Sequence, residues 1–538
     1  IAFITPNGWL TGSAFEGFRK TTEKEFSKIF IFDLRGDATT QGERRRKEGD
    51  GIFGDGSRTP IAITLLVKRK GHTGKAKIRY FQTPDYAKRI DKLNLLNESD
   101  SFVVMNDKRQ FETLKPKPNG DWLIERNELF QTLIPLGGDT YKKFGKHEEK
   151  TIFVGYTNGY KTNRDAWSYN YSKNKVSENM ERMVDEYNSQ LERGVQEFDS
   201  QKISWDSTLT NQFKRKNRAT FQGDLTTTAS YRPFSKRWFY SDKMMINTSS
   251  ESIAFPTPST KNLLICVAGV GVKKDFSCLM TDCMTDVQLM ANGQCFPLYW
   301  YEDKSEIRRS RRVESLFGDD GENNLIRHDG ISDYILNVAR KKYDKNVTKE
   351  DIFYYVYGYL HSPEYRESFS DDLKLSLPKI GLVDDYDEFK TFSVAGRNLA
   401  DLHLNYEGLE PPSTVKLSGD QKVEDILKNL DICRVKKMKL IPEKRKLIYN
   451  QYITIENIPE EAFDFVINGR SALGWIVEQY QYSVDKASGI INDPNEYAGG
   501  AYILKLVLSI ISVSMKTMDI VKNIPKLSFE TENSKGDP

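Results

Sequence analysis

The sequence predicts an α/β fold at the start of the chain and a larger α+β domain after it. Strand and helix patterns alternate over residues 1–67, and IFIFDL at residues 29–34 is an unbroken apolar run. Such a run is typical of a strand covered on both faces in a largely parallel sheet. Short aromatic-rich stretches replace this alternation from residue 155 onward. We predict the C-terminal half of a doubly wound, Rossmann-like sheet at 1–154 and an α+β domain at 155–538.

The first elements are expected in strand, helix, strand order. Residues 1–5, IAFIT, have strand character from the first position, which predicts that the sequence begins inside a domain. Pro6 to Gly8 interrupt this strand. A helix is predicted from Ser13, as its N-cap, to Phe26. Its apolar side is expected to hold Phe15, Phe18, Thr22 and Phe26.

A long polar segment, residues 35–60, follows the IFIFDL strand and precedes a second apolar strand at 61–67. We predict a loop here, because polar residues and glycines dominate and no apolar periodicity is present. In doubly wound sheets the functional loops leave the carboxyl ends of strands. The segment therefore occupies a functional position, and Phe53 is a single aromatic among its glycines.

Composition indicates a folded, multidomain protein. The chain has 538 residues, of which 38% are hydrophobic and 29% charged, which favours folded domains over a disordered chain. A net charge of +3 averages over basic clusters at 44–47, 68–70, 214–218 and 308–312. Charge alone leaves a polyanion contact and an ordinary solvated surface equally open.

Cysteine usage and hydropathy indicate a cytoplasmic protein without a membrane segment. Five cysteines, an odd number in a long chain, are typical of a reducing compartment. Cys266 to Cys295 contain four of them without a CxxC pair or a histidine, so we predict buried thiols and no metal site. Leu506 to Met515 is apolar but too short to cross a bilayer, which predicts an internal core helix.

Several long motifs resemble one protein family. AFITPNGWL, FEGFRK, IFIFDLRGD and IFGDGSRTPIAITLLVK, all before residue 69, resemble the closing half of an N6-adenine DNA methyltransferase of the Asn-Pro-Pro-Tyr class. Later motifs resemble the C-terminal recognition region of type ISP restriction-modification enzymes: GYKTNRDAW, SYRPFSKRWFY, CFPLYWYE, DIFYYVYGYLHSPEYRESF and SGIINDPN. The resemblance covers nearly the whole chain.

This resemblance implies a function and its partners. Complete members of the family resemble single chains with a nuclease, a helicase-like ATPase, a coupler, an adenine methyltransferase and a target-recognition domain. The implied partner is double-stranded DNA, and the implied cofactor of the complete enzyme is S-adenosylmethionine. The missing nuclease, ATPase and methyltransferase portions are expected in cis, or in trans if the gene is split.

The sequence lacks the catalytic motifs of that family. It contains no Asn-Pro-Pro-Tyr, no Phe-x-Gly-x-Gly loop and no phosphate-binding loop, since Gly71 to Lys75 has the wrong spacing. We therefore predict no catalytic residue in this chain, place the methyltransferase motifs before Ile1 and expect the chain to be inactive alone.

Phe53 is the strongest candidate functional residue of the first domain. A methyltransferase acting on duplex DNA must rotate the base out of the stack and hold it against aromatic or apolar groups. By resemblance, Phe53 matches the aromatic residue that stacks on the flipped adenine; packing of the loop against the sheet is the equally weighted alternative. Phosphate contacts are predicted for nearby cations, namely Arg44, Arg45, Arg46, Lys47 and Arg58.

Two motifs of the second domain contain further candidates. Lys161, Thr162, Asn163 and Arg164 precede Trp167, and Arg164 and Asn163 have donors suited to guanine and adenine edges. The equally open alternative is an Asp165 N-cap with an Arg164 ion pair. In YRPFSKRWFY the aromatics predict a buried strand-turn-strand unit. Its cations are the predicted DNA contacts: Arg232, Lys236 and Arg237.

Two further segments are predicted to have structural roles. Asp385, Glu388 and Lys390 resemble a nuclease site, but their consecutive placement favours a helix start. A buried helix is expected from Thr348 to Ser362-Pro363. The alternative function for the whole chain is a non-enzymatic DNA-specificity subunit that works with a separately encoded methyltransferase or nuclease.

Overall fold

The computed structural model describes most of the chain as a mixed α/β fold with several small sheets. Outside the described residues lie 41, 55–56, 99–110, 139–143, 145–149, 248–252, 273, 304–324, 419–424, 427 and 530–538, and the side chains of residues 13 and 42–44. The basic cluster at 308–312 is therefore not described. Two compact units are present. Unit 1 comprises Ile1–Phe130, Val270–Asp275 and Phe369–Ser376; unit 2 comprises Gln131–Gly269, Phe276–Ser368 and Leu377–Pro538.

Unit 1 is built around one sheet. Its strands are β1 (Ala2–Pro6), β2 (Lys28–Arg35), β3 (Ile61–Val67), β4 (Lys77–Gln82) and β5 (Glu112–Leu114). Its helices are α1 (Glu16–Glu25), α2 (Gly42–Glu48), α3 (Arg89–Glu98) and an unnumbered turn of helix at Asp372–Leu375. Single 3-10 turns occur at Asn7–Leu10, Ser13–Phe15 and Glu128–Gln131. The strands lie in the order β1-β3-β2-β4-β5.

Strand directions in this sheet differ from the prediction. β3 lies between β1 and β2 and is antiparallel to both, so β1 and β2 run parallel to each other. β2 and β4 are parallel, whereas β4 and β5 are antiparallel. The expected largely parallel sheet is therefore wrong for the described pairings. An apolar run reports that both faces of a strand are buried, and it does not fix the direction of the neighbouring strand.

The core of unit 1 contains the predicted strand and part of the predicted helix face, since Thr22 is buried and Phe26 packs against the core. Ile29, Ile31 and Phe32 of β2 are fully buried, as the apolar run predicted. Helix α1 begins at Glu16 with Phe15 at its N-cap, so the N-cap predicted at Ser13 is wrong. Phe15 and Phe18 are each 45% exposed.

Arg19 occupies the buried side of α1, where Phe15 and Phe18 were expected. Its guanidinium donates to the carbonyls of Trp9, Gly12 and Gly120 and lies 3.4 Å from Asp121 Oδ1. Four acceptors around one arginine make a buried charge tolerable in the core. An apolar pattern alone could not predict this arrangement.

Unit 2 contains helices α4 to α12 and strands β6 to β25. The helices are α4 (Asp165–Ser168), α5 (Lys173–Arg193), α6 (Ser207–Lys214), α7 (Asp333–Lys342), α8 (Lys349–Tyr359), α9 (Pro363–Ser368), α10 (Tyr386–Leu404), α11 (Ala472–Gln479) and α12 (Tyr502–Asn523). The strands are β6 (Ile134–Pro135), β7 (Thr157–Asn158), β8 (Tyr169–Asn170), β9 (Thr226–Arg232), β10 (Ser235–Tyr240), β11 (Leu264–Val267), β12 (Cys278–Thr281), β13 (Met284–Thr285), β14 (Gln294–Pro297), β15 (Tyr299–Asp303), β16 (Leu325–Asp329), β17 (Lys379–Ile380), β18 (Lys416–Leu417), β19 (Lys439–Ile441), β20 (Lys446–Ile448), β21 (Thr454–Glu456), β22 (Val466–Ile467), β23 (Arg470–Ser471), β24 (Ser483–Val484) and β25 (Ile491–Asn492).

These strands form small sheets around shared cores. Three sheets have four strands each, in the orders β13-β9-β10-β8, β12-β11-β14-β7 and β18-β21-β20-β19. The remaining pairs are β15-β16, β17-β6, β22-β23 and β24-β25. Single-turn 3-10 segments lie at Gly223–Leu225, Pro442–Lys444, Glu460–Phe463 and Pro494–Glu496.

YRPFSKRWFY forms the predicted buried strand-turn-strand unit. β9 and β10 pair antiparallel across a turn at Pro233-Phe234, where Phe234 adopts a left-handed φ of 56°. Phe239 is fully buried and stacks on Tyr169 with ring centroids 4.6 Å apart. The aromatic side chains therefore stabilise unit 2.

The helices of unit 2 also follow their predictions. Thr348 caps α8 in a capping box with Asp351, and the next helix, α9, starts at Pro363. Helices α8 and α10 pack closely because Gly358 and Gly396 let each backbone approach the other. α12 contains the predicted core stretch, with Leu506 to Val513 buried. Among the described residues, no helix has both the length and the apolar content needed to cross a bilayer.

Candidate nucleic-acid interface

The segment after β2 is held in a fixed conformation by one buried lysine. Lys92 of α3 is fully buried, and its Nζ donates to the carbonyls of Leu34, Glu48 and Asp50 at 2.7–3.0 Å. Burial lowers the pKa of Lys92 to about 8. These three bonds join the end of β2 and the end of α2 to α3. The segment also contains α2, so the prediction of a loop over all of 35–60 is wrong at that helix.

Two glycines allow this tight path. Gly36 has a φ of +91°, and a Cβ there would lie 2.8 Å from the carbonyl oxygen of Asp50. Gly49 has a φ of +66°, and a Cβ there would overlap the carbonyl of Ala87. Both positions therefore need glycine for conformation and for space. The backbone N–H of Asp50 donates to that same Ala87 carbonyl at 3.0 Å.

A buried carboxylate lies where β1 and β2 end. Asp33 accepts hydrogen bonds from Asn7 Nδ2, the backbone N–H of Arg35 and the Tyr80 hydroxyl, at 2.9–3.0 Å. Burial raises the pKa of Asp33, and these donors act against that rise. The network joins β1, β2 and β4 at the edge from which the Phe53 segment leaves the sheet.

Phe53 is exposed on this anchored segment. Its side chain is 51% exposed, although the neighbouring Ile52 is buried at 8%. Tyr86, which the sequence reasoning missed, is 55% exposed with a left-handed φ of 63°. The Tyr86 N–H donates to the carbonyl of Lys47 at 3.2 Å, which places it beside the same segment. An exposed aromatic on a rigid support is available for stacking.

The predicted cations around Phe53 have different environments. Arg46, Lys47 and Arg58 are exposed, whereas Arg45 is partly buried and donates to the Gly49 carbonyl at 2.6 Å. The backbone of Arg44 lies in α2, and its side chain lies outside the described part of the chain. Exposed lysines and arginines are suited to phosphate contacts. Arg45 instead helps to close the segment.

The TNRDAW motif divides into exposed and buried residues. Lys161 and Asn163 are exposed, and Asn163 adopts a left-handed φ of 56° with Nδ2 3.2 Å from Asp206 Oδ2. Thr162 is buried, accepts from the N–H of Arg164 and donates to the Asp165 carboxylate. The motif therefore presents Lys161 and Asn163 to solvent and uses Thr162 internally.

Arg164 forms an internal ion pair. Its side chain is fully buried and donates to Asp206 Oδ1 at 2.6 Å, to Ser204 O at 3.2 Å and to Met245 O. Burial lowers the pKa of Arg164, and Asp206 opposes that shift. The ion-pair interpretation fits this geometry, while a contact to guanine would need the buried guanidinium to be exposed. The suggested Asp165 N-cap is wrong, because α4 begins at Asp165 without a side-chain cap.

The cations of β9 and β10 pack against aromatic rings. Arg232 lies 3.8 Å from the Tyr231 ring centroid and donates to Asp286 Oδ1 at 2.8 Å. Arg237 lies 4.1 Å from the same ring. Lys236 Nζ is 3.6 Å from Glu407 Oε2. All three are partly buried, so each reaches the surface through only part of its side chain.

The remaining candidates from the sequence have roles in the fold. Asp385 caps α10 by accepting from the N–H groups of Asp387 and Glu388, so the segment is a helix start, as the sequence favoured. Four of the five cysteines are buried, as expected, and Cys283 is partly buried. Within the described residues, no cluster of three or more His, Cys, Asp or Glu side chains has metal-binding geometry.

Comparison with known proteins identifies the family. Residues 151–506, well over half of the chain, match the model of the type ISP C-terminal specificity domain. The chain belongs to the type ISP family. No curated protein sequence matches it.

Three solved structures match nearly all of the chain, and two of them are of type ISP enzymes. One is a nuclease-deletion mutant of the type ISP restriction-modification enzyme LlaGI with a DNA substrate mimic, at 34% identity and a TM-score of 0.81 over 99% of this chain. Another is the ATP-dependent type ISP enzyme LlaBIII bound to DNA, at 33% identity and 0.84 over 98%. A DrdV–DNA complex matches at 25% identity and 0.78 over 98%. This chain spans 47%, 33% and 50% of those chains, respectively.

Proposed function

We propose that this chain is the C-terminal part of a type ISP restriction-modification enzyme that recognises double-stranded DNA and methylates adenine at N6 when complete. In this proposal residues 1–154 end the methyltransferase domain and residues 155–538 form the target-recognition domain. The observation on which it chiefly rests is Phe53, an exposed aromatic on a segment anchored by the buried Lys92.

Phe53 stacks on the extruded adenine in this mechanism. Duplex DNA hides adenine N6 in the base stack, so the enzyme must provide a surface that replaces the lost stacking. A half-exposed phenyl ring provides that surface at little cost in ordering, because Lys92 and the two close glycine contacts already fix the backbone beneath it. Arg46, Lys47 and Arg58 neutralise phosphates near the extruded nucleotide.

DNA contacts in the recognition domain come from its exposed polar residues. Lys161 and Asn163 offer donors from one turn of chain, which Arg164 and Thr162 hold from below through Asp206 and Asp165. Arg232 and Arg237 stiffen the hairpin by packing on Tyr231. Arg164 therefore positions the DNA-contacting turn and makes no base contact itself.

S-adenosylmethionine, the methyl donor of the proposed reaction, does not fit the buried acid at the sheet edge. Asp33 accepts from Asn7, Arg35 and Tyr80. It is only 6% exposed, so its carboxylate is not available to a cofactor hydroxyl. We therefore assign the cofactor site to the preceding part of the complete enzyme.

The test is Phe53→Ala in the complete enzyme, with Phe198→Ala as a matched control at another exposed phenylalanine. Phe198 is 75% exposed. We expect Phe53→Ala to slow single-turnover methylation about ten- to a hundredfold, as for loss of about 1.4–2.7 kcal/mol, and to leave DNA affinity within about threefold. The control keeps full activity. Wild-type methylation by Phe53→Ala would exclude the stacking role.

A non-enzymatic specificity subunit is the second candidate, because the family match covers the specificity domain at 151–506. Under either proposal the isolated chain binds no S-adenosylmethionine. Only a subunit folds well and binds its target without a covalently attached methyltransferase. Binding of the purified 538-residue chain to its target duplex therefore distinguishes the two.

A further inference from the structure

A basic segment of unit 2, residues 434–446, is longer than the clusters noted from the sequence and contains more cations. Between residues 434 and 446 the one acidic residue is Glu443. Seven cations lie in the same interval: Arg434, Lys436, Lys437, Lys439, Lys444, Arg445 and Lys446. The segment consists of a stretch without regular secondary structure, then β19, the 3-10 turn at Pro442–Lys444 and the start of β20.

Part of this segment lines an open groove of about 920 Å³. One wall contains Arg434, Lys436, Lys437 and Lys439, and the opposite wall is residues 448–452. Four of the nine lining residues are cationic and none is acidic. Tyr452, on the second wall, is 62% exposed.

The walls of the groove are held together by side-chain amides. Asn450 Nδ2 donates to the carbonyls of Ile432 and Arg434 at 2.7 and 2.9 Å. Its Oδ1 accepts from the N–H groups of Tyr452 and Ile453 at 2.9 Å. One asparagine thus joins both walls, so the cations project from a fixed backbone.

The groove carries a local excess of positive charge. Arg434 is 3.2 Å from Asp493 Oδ2. Within the described part of the chain, no carboxylate lies within ion-pair distance of Lys436, Lys437 or Lys439. Closely spaced like charges on a folded surface repel one another, and a polyanion relieves this repulsion.

We propose that this groove binds the phosphate backbone of duplex DNA outside the bases that are recognised, a site that rests on the proposed DNA-binding function. Lysines contact phosphates as point charges and give no sequence information. Lys437 and Lys439 are two residues apart in an extended segment, a spacing of about 6.6 Å that resembles the distance between successive phosphates.

A membrane surface is a poorer match for the same charges. Stable interfacial binding needs apolar side chains beside the cations, so that they can enter the acyl region. Met438 lies between the lysines but is only 2% exposed. Ile448 is also only partly exposed. Tyr452 is the one exposed aromatic among the lining residues, and the groove presents no exposed aliphatic side chain beside it for insertion.

The test compares two triple variants of the complete enzyme. The groove variant is Lys436→Gln, Lys437→Gln and Lys439→Gln. The matched control removes three other exposed cations of unit 2, as Lys214→Gln, Arg215→Gln and Lys216→Gln. Affinity for a duplex of arbitrary sequence is measured across a range of potassium chloride concentrations. Vesicles of phosphatidylserine with phosphatidylcholine and a single-stranded RNA of the same length serve as alternative ligands.

We expect the groove variant to lower the slope of log K against log salt by about 2 to 3, because each lost phosphate contact removes about 0.9. The control variant should lower this slope by less than half as much as the groove variant does. An unchanged slope in the groove variant, an equal fall in the control, or a larger loss for vesicles or RNA than for duplex would overturn the groove proposal. Failure of the complete wild-type enzyme to bind duplex would instead contradict the proposed function.

Discussion

Aromatic and cationic residues occur together in two regions of this molecule. One region buries a cation and exposes an aromatic ring, and the other buries the aromatic rings. In the segment after β2 a cation, Lys92, is fully buried and an aromatic, Phe53, is 51% exposed. In the β9–β10 hairpin the aromatic Phe239 is fully buried, and Arg232 and Arg237 pack over the ring of Tyr231. Similar composition therefore serves a different purpose in each unit.

The difference separates a residue available to a ligand from residues that maintain the fold. A buried ring contributes through the apolar area that it removes from water. An exposed ring on a rigid backbone contributes little to folding and remains free to stack on another molecule. The exposure of Phe53 therefore supports its proposed role, whereas the buried hairpin rings stabilise the fold.

The largest expected difference is between two phenylalanine-to-alanine variants. Phe239→Ala should lower the free energy of unfolding of unit 2 by about 3–5 kcal/mol, since it leaves a cavity beside Tyr169. Phe53→Ala should change that of unit 1 by less than about 0.5 kcal/mol. Hydrogen exchange read by mass spectrometry reports each unit separately. Equal losses of stability in the two variants would contradict the distinction between a ring that stabilises the fold and a ring that does not.

The internal role of Arg164 predicts a loss of about 3–5 kcal/mol for Arg164→Met, because Asp206 would keep a largely buried charge without its partner. Lys161→Met, at an exposed position of the same motif, should stay within about 0.5 kcal/mol. Urea unfolding followed by tryptophan fluorescence measures both. A stable Arg164→Met variant with weakened DNA binding would instead support a direct contact between Arg164 and a base.

Gly49 tests whether the Phe53 segment needs its fixed path. Gly49→Ala adds a Cβ that overlaps the Ala87 carbonyl at a left-handed φ, and we expect a loss of at least about 2 kcal/mol. Gly71→Ala also has a positive φ but has open space around its Cβ, so it should cost about 1 kcal/mol. Hydrogen exchange over residues 35–60 measures the difference, and equal effects would show that close approach is unimportant there.

The smallest expected effect is a pH dependence in the hairpin. Asp286 is 3% exposed, and burial raises the pKa of its carboxyl to about 6, with Arg232 acting against that rise. Because this pKa is higher than in the unfolded chain, its contribution to stability is present below about pH 4 and is lost as the pH rises through 6. The stability of wild type relative to Asp286→Asn should therefore fall by about 1–3 kcal/mol between these limits. A stability difference between wild type and Asp286→Asn that does not change with pH would contradict a raised pKa for Asp286.

The sequence predicted elements whose pattern depends on local apolar spacing. It identified the buried strand β2, the β9–β10 hairpin, the capped helix α8 and the helix start at Asp385. It was wrong about the parallel sheet and about Phe15 and Phe18 on the buried face of α1, because strand direction and the four acceptors around Arg19 depend on distant residues.

The candidate sites show the same limit. Phe53 was located by its position after a strand, but Lys92, which anchors its segment, lies in a helix with no distinguishing motif. Arg164 was selected for its donors, and its burial by Asp206 and Met245 could not be inferred from neighbouring residues. The basic segment at 434–446 could have been found by counting charge in a wider window.

Photochemical cross-linking tests the central claim most directly. The target adenine, first mapped as the methylated position in genomic DNA, is replaced by 5-iodouracil in a duplex bound to the complete enzyme. If Phe53 stacks on the extruded base, irradiation attaches the nucleotide to the peptide that contains Phe53, and Phe53→Ala removes that product. Attachment to another peptide, unchanged by Phe53→Ala, would contradict the account.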